Sequence, residues 1–324
     1  MKVLFTDYDM HDVSLERQLF AQAGIELVEA QCRTEDDVIR NARGCSALLV
    51  QYAPVNRKVF EACPQIGLVA RIGAGYDTID ADDAAAAGVW VANSPDYGVG
   101  EVATHALAML LALIRNVARY DRDIHAGRWH YTTAGPIPRA SSMTVGILGL
   151  GRIGKRFAHL ARNAFGRVIA HDPNLIDGDF PPYVQRVSIE QLFGESDAIS
   201  IHCLLDAGTR GLVAEPLLSR MKRGSYLVNT ARGAIVDVDA LARELRGDRF
   251  AGVALDVLPV EPIAAGHPLL DDPRVLLTPH AAFYSVDSEV ELRRKAAGNI
   301  VTWMRTGRPD YPVVVGSRLP HAPR

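Results

Sequence analysis

The chain has 324 residues, 48% of them hydrophobic and 23% charged, which suits a soluble globular protein with a sizeable core and, at this length, two domains. The 35 Lys and Arg against 38 Asp and Glu leave a net charge of −3, so neither a basic nucleic-acid surface nor an acidic tail is expected. Cys32, Cys45, Cys63 and Cys203 show no C-x-x-C spacing and sit among apolar neighbours, the pattern of reduced, buried thiols in a cytoplasmic protein without a metal site.

The opening MKVLFTDYD reads as a first strand, because its apolar run is short and charge follows at once. Residues 1–98 keep a βα rhythm. Strands are predicted near Lys2–Thr6, Glu26–Ala30, Ala47–Gln51, Leu68–Ile72 and Val89–Ala92, with helices near Ser14–Ala23, Glu35–Ala42, Arg57–Cys63 and Ala81–Ala87. Such alternation predicts a parallel sheet with helices on its faces. From Gly100 to about Ala126, Val102, Ala106, Met109, Leu110 and Leu113 recur at helical spacing, which predicts one long helix bridging two lobes. Its most apolar part, His105 to Ile114, is too short to span a bilayer and reads as core.

Gly127 to Ser142 reads as a loop, and a second α/β lobe follows. Its strands are predicted at Val145–Leu148, Val168–His171, Ala198–His202, Ser225–Val228, Gly252–Leu255 and Val275–Leu277. A last helix, about Ser285 to Arg305, carries the chain back to the first lobe, and two crossings imply a hinge. Gly316 to Arg324 is expected to be mobile.

Within the second lobe, the first strand runs into Gly149, Gly151 and Gly154 in G-x-G-x-x-G spacing. The first glycine permits a tight turn, the second lets backbone approach a pyrophosphate, and the third allows close helix packing. A helix from Arg152 to about Asn163 then offers its N-terminal N–H groups to the anion. Asp172 closes the next strand eighteen positions beyond Gly154, where an acid takes the adenosine ribose hydroxyls and favours NAD over NADP. Three glycines alone are a weak signal; the strand before, the helix after and the acid beyond make it specific.

Further candidates lie at later strand ends, where ligands of open α/β sheets collect. Arg232 follows the strand that ends in VNTA and offers a guanidinium able to grip a carboxylate with two parallel hydrogen bonds. Glu261 sits in DVLPVEP and His280 ends VLLTPH. A histidine is the natural proton donor near neutral pH, and a carboxylate on its other ring nitrogen fixes the tautomer. Taken singly, each has an ordinary reading: an exposed arginine in a turn, a solvated glutamate, a histidine capping a strand. Asp256 either orients a cofactor or caps a helix, and His171 and His202 read as packing or cofactor-edge residues.

The runs GILGLGRIG, VNTARGAIVD, ALDVLPVEP and TPHAAFYS, in this order and joined by RIGAGYDTID and VANSP, resemble the D-isomer-specific 2-hydroxyacid dehydrogenase family over nearly the whole chain. LLVQYAPV, IHCLL and TPHAAFYS look like the branch that holds the C-terminal-binding proteins, which are dehydrogenase-like corepressors. The resemblance implies two Rossmann or flavodoxin-like, doubly wound parallel-sheet lobes, with an NAD-binding domain over 99–284 inserted in a substrate domain made of 1–98 and 285–324. It implies an active-site trio of Arg232, Glu261 and His280, interconverting a 2-oxoacid and a D-2-hydroxyacid. It puts Arg152 and Ile153 at the pyrophosphate, Ala231 beside the cofactor, Asp256 near the nicotinamide carboxamide, and the N–H groups of Ala74 and Gly75 at the substrate carboxylate. Phe283 stands where the corepressors have Trp, so the pocket differs there; Tyr52 and Trp129 are further pocket candidates. The family habit and the apolar face of residues 102–113, a stripe that reads equally as intramolecular core, point to a homodimer, with no membrane or direct nucleic-acid partner. Two other readings stay open: an NAD(H)-responsive scaffold, and a relative acting on another small anion.

Overall fold

A computed structural model describes residues 1–320. In chain order the first elements are β1 (Lys2–Phe5), α1 (Ser14–Gln22), β2 (Glu26–Glu29), α2 (Glu35–Asn41), β3 (Ala47–Val50), α3 (Arg57–Ala62), β4 (Leu68–Arg71), α4 (Ala81–Ala86) and β5 (Trp90–Ala92). Next come α5 (Val99–Ile114), α6 (Val117–His125), β6 (Thr144–Leu148), α7 (Arg152–Ala161), β7 (Arg167–His171), β8 (Gln185–Arg186), α8 (Ile189–Glu195), β9 (Ala198–Ile201) and α9 (Glu215–Leu218). The chain continues through β10 (Ser225–Asn229), α10 (Val238–Arg246), β11 (Phe250–Leu255), α11 (Pro268–Asp271), β12 (Val275–Leu277), α12 (Val286–Thr306) and β13 (Pro312–Val314). Two compact units result: Met1–Gly98 with the segment from Ser285 onward, and Val99–Tyr284.

The first unit holds a six-stranded sheet in the order β13-β5-β4-β3-β1-β2, parallel except for β13, which runs antiparallel to β5. Its strands read as apolar runs because both faces are covered; all four residues of β3 are fully buried. The capping box of Thr34 with Asp37 starts α2, and that of Ser285 with Ser288 starts α12. An ion pair joins the two ends of this unit: Arg293 of α12 donates from Nε and Nη2 to Glu16 of α1 at 2.7 and 2.6 Å, with Glu16 fully buried.

The second unit holds a seven-stranded, wholly parallel sheet, β12-β11-β10-β9-β6-β7-β8. Strand order reverses between β6 and β9, the switch point beside which ligands of such sheets bind. Val145 and Ile147 of β6 pack with Met109, Leu110 and Ile114 of α5 in one core cluster. Each fully buried side chain of this size contributes roughly 1.5–3 kcal/mol.

Several expectations change. The predicted long helix is two helices bent by 59°, because Asn116 takes a left-handed φ of 53° that an α-helix cannot continue through. The apolar face of α5 is intramolecular core rather than a dimer surface, since Val102, Ala106, Met109 and Leu110 are buried. Among the described residues no single helix is long and apolar enough to cross a membrane; α5 and α6 pass that test only as a bent pair. The edge strands β8 and β13 were not predicted. Residues 316–318 are held rather than mobile: Ser317 N–H donates to Gly88 O, and the Arg318 guanidinium donates to Pro64 O and Ile66 O. Residues 321–324, the end of that stretch, lie outside the described ones. Cys32, Cys45 and Cys63 are buried, whereas Cys203 is only half-buried.

Candidate active site

The turn after β6 sorts its three glycines by physical role. Gly149 has φ 90°, and a Cβ there would stand 2.5 Å from the Cys203 backbone nitrogen, so conformation and crowding both demand glycine. A Cβ on Gly154 would press on the Gly149 carbonyl, which is how α7 packs so closely on β6. Gly151 is different: its φ is −68° and nothing lies within 4 Å of a Cβ placed there. That position is glycine without any neighbour in the protein requiring it, which fits a chemical group approaching from outside.

Gly151 is also the N-cap of α7, and no side chain caps the helix. Its first N–H groups, those of Arg152 and Ile153, therefore start a helix that carries no acidic side chain in its first turn. Asp172, just beyond β7, accepts from Leu150 N–H at 2.8 Å and from Asn174 N–H at 3.0 Å. An ionised carboxylate has further lone pairs, so these bonds tie the acid to the glycine turn without exhausting it. This cradle, open at Gly151 and anion-seeking at α7, fits a dinucleotide.

Downstream strand ends bring three side chains into one electrostatic group. Asn229 closes β10 and organises the next turn, accepting from Ala231 N–H at 3.0 Å and donating to Arg232 O at 2.9 Å. Arg232 in turn donates from Nη1 to Ala231 O at 2.8 Å. A Cβ on Gly233 would collide with the Leu258 backbone, so glycine lets this turn lie against the segment that leads to Glu261. Glu261 accepts through Oε1 from Leu258 N–H and through Oε2 from His280 Nδ1, both at 2.8 Å. Burial pushes the Glu261 carboxyl up, but the bonds from His280 and Leu258 and the charges of His280 and Arg232 outweigh it and hold the group below the usual range.

His280 adopts a left-handed φ of 55°, unusual for a residue with a side chain. The turn is held from below by Asp256, which is 3% exposed. The His280 N–H donates to Asp256 O at 2.8 Å, while the Asp256 carboxylate accepts from Thr278 Oγ1 at 2.5 Å, Ala281 N–H at 2.8 Å and Ala282 N–H at 3.0 Å. Phe283 stands edge-on to the His280 ring at 6.5 Å. By contrast, burial pushes the His202 imidazole down to about 3, and its Nε2 meets Ser200 Oγ at 2.8 Å, so it is a neutral packing residue. His171 likewise meets Val187 O through Nδ1 at 3.0 Å.

In the first unit, Tyr52 follows β3, and Ala74 and Gly75 follow β4, all at carboxyl ends of parallel strands. Tyr52 donates its N–H to Asp7 Oδ2 at 2.6 Å and its phenol to Asp9 Oδ2 at 3.1 Å. Asn93 Nδ2 donates to Ala74 O at 2.6 Å, and among the described residues nothing accepts from the N–H of Ala74 or Gly75. Trp129 is 84% exposed and lines no core. Sequence reasoning missed His105, whose Nε2 lies 3.1 Å from Thr278 Oγ1 and 3.8 Å from Asp256 Oδ1. The one local signal was a histidine inside an otherwise apolar helix.

Residues 107–282 match the sequence pattern of the NAD binding domain of D-isomer specific 2-hydroxyacid dehydrogenases. The chain is 35% identical to a glyoxylate reductase of Korarchaeum cryptofilum over 274 residues, 83% of this chain and 82% of that one. It is 29% identical to a hydroxypyruvate reductase of Blautia hydrogenotrophica over 275 residues, 83% and 85% of the two chains. Among solved structures, D-lactate dehydrogenase from Aquifex aeolicus, complexed with NAD and lactic acid, superposes with a TM-score of 0.88 at 26% identity, covering 97% of this chain and all of that one.

Proposed function

The chain belongs to the D-isomer-specific 2-hydroxyacid dehydrogenase family, and from that premise we propose that Arg232, Glu261 and His280 are the residues with which it interconverts a 2-oxoacid and a D-2-hydroxyacid. It is an NAD-dependent oxidoreductase of 2-hydroxyacids. The observation that carries the assignment is the 2.8 Å bond between Glu261 and His280 Nδ1, with the charge of Arg232 acting on the same carboxylate.

Glu261 is held below the usual carboxyl range, so near neutrality it is ionised and can only accept. His280 Nδ1 must then carry the proton of that bond, which leaves Nε2 to exchange a proton with substrate. The reduced nicotinamide, when bound, supplies a hydride to the substrate's carbonyl carbon. His280 donates the Nε2 proton to the carbonyl oxygen as charge develops there, and in the oxidative direction the neutral Nε2 takes the hydroxyl proton back. Arg232 grips the substrate carboxylate and, with the imidazolium, stabilises the developing negative charge.

The dinucleotide would be held by Gly149, Gly151 and Gly154, by the N–H groups of Arg152 and Ile153, and by the turn through Ala231 and Asp256. Asp172 would accept from the ribose hydroxyls, and its negative charge would repel a 2′-phosphate, which favours NAD. In the first unit the N–H groups of Ala74 and Gly75 are offered to a substrate carboxylate and Tyr52 stands at a neighbouring strand end, while in the second Phe283 stands beside His280. Glyoxylate and hydroxypyruvate head the substrate panel, because the relatives carry those names.

A homodimer is supported by apolar groups that no core absorbs: Val117 and Ile124 of α6, then Trp129 and Tyr131. A cytoplasmic location is supported by Cys32, Cys45, Cys63 and Cys203, which are free thiols, the first three of them buried. The test of function is NADH consumption over a panel of 2-oxoacids, with the configuration of the product determined. A D-hydroxyacid from at least one small 2-oxoacid is expected. Tight NADH binding with no turnover on any of them would refute the reading.

A further inference from the structure

Behind His280 lies a chain of hydrogen bonds whose direction can be deduced. A threonine hydroxyl has a single proton. At 2.5 Å from a carboxylate oxygen, the Thr278 hydroxyl gives that proton to Asp256 rather than to the Met109 sulfur at 3.8 Å. His105 Nε2, 3.1 Å from the same hydroxyl oxygen, must then be the donor. The order is His105 to Thr278 to Asp256, and Asp256 also receives the N–H groups of Ala281 and Ala282, the two residues after His280. His280 itself sits at φ 55°, a conformation that costs on the order of 1–3 kcal/mol and persists only when its surroundings impose it.

We infer that His105 of α5 is a positioning residue for the reaction, acting through Thr278 and Asp256 on the turn that sets the direction of His280. The inference rests on the acid–base role of His280 argued above. His105 fixes the Thr278 rotor; the rotor fixes one oxygen of Asp256; and that oxygen takes the Ala281 N–H. None of these groups need touch substrate. If His105 were only a satisfied polar group on a core helix, its loss would lower stability and leave the chemical step alone.

The test uses the full-length enzyme with NADH and its best 2-oxoacid, comparing His105→Leu, His105→Gln, Thr278→Val, Thr278→Ser, His280→Ala and the double variant His105→Leu/His280→Ala. His105→Leu and Thr278→Val are expected to lower kcat by roughly 10- to 100-fold, the range for a displaced catalytic group, with little change in either KM. Thr278→Ser keeps the hydroxyl and His105→Gln keeps an N–H donor, so both restore most of the rate. In the His280→Ala background, His105→Leu is expected to cause no further loss. Thr278→Val, which preserves side-chain shape and leaves α5 intact, carries the test if His105→Leu fails to fold. An unchanged kcat in His105→Leu or Thr278→Val, or an equal loss with and without His280, overturns the inference. Full loss in His280→Ala beside an unaffected His105→Leu overturns it alone, whereas a fully active His280→Ala overturns the acid–base reading and this inference together.

Discussion

Gly151 and Gly154 belong to one motif, yet the structure predicts opposite consequences for the same substitution. In Gly154→Ala the new methyl presses on the Gly149 carbonyl, standing 3.1 Å from its carbon and 3.4 Å from Ile147 Cγ2. Backbone on one side and β6 on the other give it little room to relax. Overpacking of this kind costs about 1–3 kcal/mol, partly offset by the roughly 1 kcal/mol that alanine gains over glycine inside a helix. At roughly 2–4 °C per kcal/mol for a unit of this size, the melting midpoint should fall by a few degrees. In Gly151→Ala the backbone is already at φ −68° and the methyl meets nothing within 4 Å. The lower chain entropy of unfolded alanine and its poorer N-capping oppose each other, so stability should stay within about 0.5 kcal/mol of wild type. The methyl instead occupies the space through which a pyrophosphate reaches the backbone, and NADH affinity should fall at least about tenfold, or 1.4 kcal/mol. Thermal melts beside fluorescence titration with NADH read both quantities. A Gly151→Ala protein that melts and binds NADH like wild type would refute the assignment of this turn to the cofactor.

Three further outcomes follow from individual contacts. Glu16→Ala removes the bidentate partner of the Arg293 guanidinium, 7% exposed, and leaves it only Glu289 and the Asp12 carbonyl, so it should cost about 3 kcal/mol, the low end for a broken buried pair, in denaturant unfolding, while the apolar pair Glu16→Leu/Arg293→Met should recover most of it. Glu261→Gln should lower kcat by about 10²–10⁴, because an amide can donate to His280 Nδ1 and take the proton off the wrong nitrogen. Since the folded Glu261 carboxyl lies below its ordinary value of 4.5, its stabilising bond is fully present above that pH and is lost as pH falls through the folded value. The melting difference between wild type and Glu261→Gln should therefore be constant near neutrality and close in acid; a difference that widens on acidification would contradict the ionised carboxylate.

The strands were legible because both faces of each sheet are covered, so β3 and β6 appear as unbroken apolar runs, and their ends were displaced by only a residue or two. The α5–α6 break was not, because hydrophobic periodicity carries through Asn116 and only its left-handed backbone interrupts the helix. β13 was missed because its pairing with β5 is antiparallel and more than two hundred residues distant in the chain, with proline at its start. The candidate site divides the same way. Gly149, Gly151 and Gly154 announce themselves by spacing, and Arg232, Glu261 and His280 by motif. The support that Asp256 gives the His280 turn was not legible, because its carboxylate's three partners, Thr278, Ala281 and Ala282, come from the next strand end. His105 lies 173 positions from Thr278 and has no sequence signature of its own.

In the proposed reaction His280 carries the proton while hydride arrives. Single-turnover oxidation of enzyme-bound NADH by a saturating 2-oxoacid, wild type against His280→Asn, tests it without interference from product release. The variant should bind NADH normally and transfer hydride about 10²–10⁴-fold more slowly. Hydride transfer at the wild-type rate would contradict it.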